Sequence, residues 1–195
     1  FPPVRAPGNG VPWETRENGF MCVARIVPEK MIEHAIEALR QVREKGLTPT
    51  LHIIGRQDDP NYFRTIQQLC RDNSSWVYLD GVLPKDELFQ LMSQYRYGIN
   101  PAPGEPSGVA ALEMVKAGCI VFVAGGGGLP EILDSPDLTF DGIDDAAEKV
   151  AAVLSDDTLQ HQLLSQLGHI GESFSTDAFC HNMQQAVERA FQSAS

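Results

Sequence analysis

Hydrophobic positions along the chain alternate between two rhythms. Short apolar runs at 20–24, 51–54, 76–79, 97–100 and 120–123, and a weaker one at 138–140, have the length of buried strands. Between them the spacing turns helical. Ile32, Ala35, Ile36 and Leu39 form one stripe of a helix expected over 29–45 and stopped by Gly46. Phe63, Ile66, Leu69 and Cys70 mark a second helix over 61–71. A short helix follows Pro84 over 85–92, another runs over 107–117, and two or three more fill 144–191. Strands alternating with helices of 10–15 residues imply βαβ units and a parallel sheet. The fold class expected is therefore α/β, a Rossmann-like doubly wound sheet of about six strands. Its usual order, 3-2-1-4-5-6, puts a ligand crevice where the order reverses, between strands one and four. The loops that would line that crevice are 25–30 and 101–106.

Composition narrows the class without changing the fold. At 195 residues, 43% hydrophobic and 21% charged, the chain suits one soluble domain able to bury a full core. A formal net charge of −11 argues against nucleic acid as a partner, which needs clustered cations. A small anion remains compatible, because a few local cations outweigh the global field at short range. Cys22, Cys70, Cys119 and Cys180 form no CxxC pair and no zinc spacing, so they read as small hydrophobes in a reducing compartment. No apolar run reaches the ~20 residues of a membrane span, and no signal peptide is visible. A cytoplasmic protein is expected. The Pro/Gly-rich start without an initiator Met reads as an interdomain linker over 1–17, ahead of a domain over 18–195 and within a longer protein.

The chemistry-bearing residues collect in the two crevice loops. Arg25 and Lys30 stand between a strand end and a helix start, where free N–H groups and the dipole already favour anions; together they suit a phosphate or diphosphate. Cations at such positions are otherwise simply solvated. Glu105 lies in the second loop, and Glu113 on the second turn of the next helix, for which Ser107 is the expected N-cap. A carboxylate there can grip the vicinal hydroxyls of a sugar, each hydrogen bond to a charged group contributing about 1.5–3 kcal/mol. The plainer alternative is one carboxylate on the helix dipole and one in solvent. Gly125 to Gly128 form neither GxGxxG nor a P-loop; they make either a flexible turn or a close backbone approach to a ligand. The five histidines are scattered, with no HExxH, and no GxSxG elbow is present, so neither a metal site nor a hydrolase triad is expected.

With these residues in place, the run from Glu105 through Pro106, Ser107, Gly108 and Val109 to Glu113, continuing to Cys119, resembles the paired-glutamate signature of family-4 (group 1) retaining glycosyltransferases. The run from Val23 through Arg25 to Lys30 is similar to that family's Gly-Arg-Leu-x-x-x-Lys-Gly element. Gly55, the Gly81-Val82 turn, the stretch from Gly126 to Glu131 and a terminal helix over 175–191 fall in the family's order. The resemblance implies the C-terminal, donor-binding half of a GT-B architecture. It implies that Arg25 and Lys30 hold the diphosphate of a nucleotide-diphosphate sugar, that Glu113 holds the ribose, and that Glu105 contacts the transferred sugar. Backbone N–H groups of Ser107, Gly108 and Val109 would assist, and Arg56 with Gly81 and Val82 would border the base. Arg25, Lys30 and Glu105 would be the catalytic set, with no metal and no cofactor beyond the donor substrate. Turnover would need an N-terminal acceptor-binding domain of the same protein, which would also make any peripheral membrane contact; alone, the fragment would be inactive. Met31 stands where the family has glycine, Ser107 where it has an aromatic, and Val115 and Ile120 where it has Ala and Pro. Two other readings share these features: a related GT-B enzyme (a sugar-nucleotide epimerase or a glycogen-synthase-like one) and a non-catalytic nucleotide-sugar-binding module.

Overall fold

The computed structural model describes residues 11–105 and 108–174, with 177, 180–181, 183–185 and 189 beyond them. Six parallel strands form one sheet: β1 (Glu17–Val23), β2 (Thr50–Ile54), β3 (Val77–Gly81), β4 (Tyr95–Asn100), β5 (Ile120–Ala124) and β6 (Thr139–Phe140). Their order is β3-β2-β1-β4-β5-β6, the doubly wound order expected from the pattern of runs. The order reverses between β1 and β4, and crossovers leave that point in opposite directions. Right-handed connections then place α1 (Ile32–Glu44) and α2 (Pro60–Asp72) on one face of the sheet, and α3 (Lys85–Gln94), α4 (Val109–Lys116) and α5 (Leu129–Leu133) on the other. The late helices complete both layers: α6 (Gly142–Leu154) packs on α1, and α7 (Asp157–Ser173) packs on α4.

The core follows from side-chain alternation. Phe20, Leu51 and Tyr97 lie side by side on adjacent strands and are buried, and Phe20 stacks on Tyr97 with ring centroids 4.9 Å apart. Cys22, Cys70 and Cys119 are buried free thiols, as small hydrophobes are; burial pushes Cys22 and Cys119 up to about 12 and Cys70 up to about 11. Cys180 differs in being exposed. Residues 11–16, read from sequence as the end of a linker, are docked: Trp13 meets Tyr97 edge-on at 5.7 Å, and Arg16 donates to the carbonyls of Val11 and Ala117. The terminal helix expected over 175–191 lies mostly outside the described residues. Among the described residues no helix is long and apolar enough to cross a membrane.

Two helix starts differ from the sequence expectation, and both border the crevice. The helix expected over 29–45 is interrupted: a 3-10 turn (Pro28–Lys30) comes first, and Met31 then takes a left-handed conformation, φ +47°, before α1 begins at Ile32. That conformation explains why the related signature has glycine there, since a side chain at positive φ is strained. No side chain of the N-cap residue serves α1. Instead the hydroxyl of Tyr62, from α2, accepts the buried Ile32 N–H at 2.7 Å and donates to the Glu33 carboxylate. Replacing Tyr62 by Phe leaves that N–H without its partner, an expected loss of about 2 kcal/mol in urea unfolding. A variant as stable as the parent would mean that Tyr62 does not cap α1. The second shift is at α4, which starts at Val109 with Gly108 at its N-cap, two residues later than expected. Ser107, expected in that role, lies outside the described residues.

Candidate functional site

The loops after β1 and β4 meet at the reversal point. Lys30 Nζ and Glu105 Oε2 form a hydrogen-bonded ion pair, and both side chains are about 20% exposed. Each loop is held from behind. Lys30 N–H donates to Val27 O in the 3-10 turn, and the left-handed Met31 then redirects the chain into α1. The Glu105 loop rests on the glycine run: Gly128 N–H donates to Glu105 O at 3.2 Å, and Gly104 N–H to Gly125 O at 3.4 Å. Gly127 has φ +76°, and a Cβ there would stand 2.5 Å from Glu105 O. The glycines therefore serve a close approach of backbone to backbone, where the sequence suggested a flexible turn or an approach to a ligand.

Arg25 and Arg56 form a second cluster around a residue that sequence reasoning passed over. The Asp58 carboxylate accepts from Arg56 Nε at 2.5 Å and Nη2 at 3.0 Å, and lies 3.7 Å from an Arg25 nitrogen. Arg25 also faces Glu29 at 3.6 Å. The Arg56 hydrogen bonds hold Asp58 below the usual carboxylate range. Backbone pairing brings the two arginines together: Ile26 N–H donates to Arg56 O at 2.8 Å, and Ile26 bridges Gln57 in parallel. Nothing local marks Asp58 in the sequence, because the pairing depends on β1 and β2 being neighbours. Both arginine side chains are more than half exposed.

Glu113 departs from the plainer of the two sequence readings. The plainer reading made one carboxylate a solvated one; here Glu113 is 8% exposed, on the second turn of α4. Its Oε1 lies 3.1 Å from Lys85 Nζ, a second residue the sequence did not single out. Lys85 is the first residue of α3, just past the turn at Gly81 and Val82. Gly81 O accepts from Gly55 N–H at 2.8 Å, which fixes that turn against the end of β2, while Val82 is 67% exposed. Val109, at the start of α4, is also exposed. A recess of about 170 Å³ is lined by Met31, His34, Pro101, Pro103 and Asp141 among others. A larger groove of about 340 Å³ runs between α4 and α7, away from the strand ends, and belongs to helix packing.

Three pairings thus stand in this region: Arg25 and Arg56 on Asp58, Lys30 on Glu105, and Lys85 over the buried Glu113. Clustered cations favour a polyanion, and a buried carboxylate favours hydroxyl groups.

Comparison with known proteins adds an independent line. A family model described as glycosyl transferases group 1 matches residues 9–166. An uncharacterized glycosyltransferase of Methanocaldococcus jannaschii is 31% identical over 117 residues, which cover 60% of this chain and 30% of that protein. Among solved structures, the C-terminal domain of a glycosyl transferase group 1 family protein from Francisella tularensis superposes with a TM-score of 0.72 at 18% identity, covering 83% of this chain and 88% of that one. Anabaena HepE, in complex with UDP and glucose, superposes with a TM-score of 0.76 at 19% identity, covering 91% of this chain and 49% of that one. The chain thus spans less than a third of its curated relative and about half of the Anabaena structure.

Proposed function

The chain belongs to the glycosyl transferases group 1 family, and from that membership we propose that it is the donor-binding half of a retaining glycosyltransferase taking a nucleotide-diphosphate sugar. The observation that carries the proposal is the pairing of Lys30 with Glu105 at the reversal point, with Glu113 buried on the adjoining helix. In this reading the diphosphate displaces Glu105 from Lys30 and Asp58 from Arg25. Glu113 accepts hydrogen bonds from the ribose hydroxyls. Glu105, released, contacts the transferred sugar, assisted by the backbone N–H groups of Gly108 and Val109 and, as the family resemblance implies, of Ser107. Arg56 and the Gly81-Val82 turn border the base. As the bond from the anomeric carbon to the diphosphate oxygen breaks, negative charge grows on that oxygen, and prepositioned Lys30 and Arg25 stabilise it. The acceptor hydroxyl then adds on the same face of the sugar, and its proton passes to the departing diphosphate oxygen. No metal enters this scheme.

The exposure of Arg25, Arg56 and Val82 supports a one-sided site, since ligand sites usually enclose most of the ligand's surface. A second domain before this one, carrying the acceptor, would close it, and we assign turnover and any membrane contact to the two halves together. The four free thiols accord with a cytoplasmic location.

The test of the site is calorimetry with UDP, the nucleotide present in the Anabaena complex. Glu113→Ala is expected to weaken binding about 10- to 100-fold, roughly the worth of one hydrogen bond to a charge, with the thermal transition retained. Equal affinity in parent and variant would remove Glu113 from the site. Retention is tested on the full-length protein by the anomeric configuration of the product, where inversion would overturn that part of the scheme.

A further inference from the structure

Glu113 already has a cationic partner in this structure, and that partner stands on the solvent side of it. Lys85 Nζ lies 3.1 Å from Glu113 Oε1; the Lys85 side chain is 55% exposed and that of Glu113 is 10% exposed. The ammonium also lies 5.2 Å from the centre of the Phe89 ring, one turn further along α3, so two attractions hold it over the carboxylate. Its position opposes the helix: a lysine on the first turn faces the positive end of the α3 dipole, a place that favours the neighbouring Asp86 and Glu87. The contact with Glu113 offsets that disadvantage.

We infer that Lys85 is a latch on the donor site: its ammonium occupies the carboxylate of Glu113 until the ribose diol of the donor displaces it. The inference rests on Glu113 being the ribose group. A vicinal diol gripped by one carboxylate uses both of its oxygens, and a diol arriving from solvent meets the ammonium at Oε1 first. The exchange is favourable because the two contacts are unequal. A half-exposed ion pair changes an equilibrium by roughly two- to fivefold, whereas hydrogen bonds from hydroxyls to a buried carboxylate change it by roughly ten- to hundredfold. Lys85 therefore lowers affinity for the donor modestly and does so through Glu113 alone. Being long and anchored at an exposed helix start, it swings into solvent on displacement without moving the backbone. In the unliganded protein it keeps a buried carboxylate paired, which a hydrophobic residue at that position would not do.

The test is the affinity of Lys85→Met for UDP, measured by calorimetry at low salt beside the parent. Methionine keeps the stem over Phe89 and removes the charge. Binding two- to fivefold tighter than the parent is expected. The gain must vanish with 2′,3′-dideoxyuridine diphosphate, which lacks the diol, and in the Glu113→Ala background. Weaker binding in Lys85→Met would make Lys85 a donor ligand and overturn the latch, as would an unchanged Kd or a gain that persists with the dideoxy nucleotide. A failure of the underlying site looks different: Glu113→Ala then binds UDP as the parent does. If Glu113→Ala weakens UDP binding and Lys85→Met fails to tighten it, the latch alone is wrong.

Discussion

Replacing Lys30 by Ala is expected to weaken UDP binding by about 2–4 kcal/mol, or roughly 30- to 1000-fold. Two effects combine. The variant removes a charge-assisted contact to the diphosphate, worth about 1.5–3 kcal/mol. It also strands Glu105, whose side chain is only 19% exposed and whose carboxylate would then face the incoming polyanion without its partner. The second effect makes a separate expectation. In Lys30→Ala combined with Glu105→Gln, part of the lost affinity returns, because the repulsive charge is gone. Calorimetry on the two variants and the parent separates the terms. The fold is expected to survive, since Lys30 sits in a 3-10 turn with no buried residues, outside the core. Parent-like affinity in Lys30→Ala would remove the diphosphate from this loop and with it the proposed orientation of the donor.

The sheet was open to sequence reasoning because its signal is local. Each strand is a short apolar run and most helices carry their own stripe, so the parallel sheet followed from the alternation, and its order is the usual one of that class. The elements that escaped are those whose signal is not local. Helix α5 is five residues long, too short for periodicity to reveal it. The break at Met31 could be suspected from the missing glycine, but not the left-handed turn that makes glycine suitable there. Arg25, Lys30 and Glu105 were singled out because they flank strand ends at the predicted reversal. Asp58 and Lys85 were not, since each acquires its meaning from a partner on another element, Arg25 in one case and Glu113 in the other. The burial of Glu113 belongs to the same class. In the sequence it is one charge on a short helix; in the fold, α4 lies between the sheet and α7, and little solvent reaches its second turn.

The arrangement of the two arginines depends on a residue without a side chain, and Gly55→Ala is the substitution expected to destabilise the protein most. Gly55 ends β2 and is wedged between its neighbours: its N–H donates to Gly81 O at 2.8 Å, and a Cβ added to it would stand 1.7 Å from Ala24 O. The obstructing atom is backbone, so no side chain can yield. Relief requires moving the loop after β1 away from the loop after β2, against the Ile26-to-Arg56 hydrogen bond and the bridge to Gln57. We expect a loss of at least about 3 kcal/mol, in the upper range for single substitutions. For a chain of this size that corresponds to a thermal midpoint lower by about 6–12 °C. Gly46→Ala is the control. Gly46 also has positive φ, +90°, but nothing lies within 4 Å of its Cβ position. It should cost only the strain of that conformation, about 1–2 kcal/mol. If the two variants lose the same stability, the clash at Ala24 is not what makes Gly55 necessary. If Gly55→Ala is markedly worse, as expected, Arg25 should lose its register with Arg56 and Asp58. UDP binding by the folded fraction should then fall as well, whereas Gly46→Ala, at the far end of α1, should bind as the parent does.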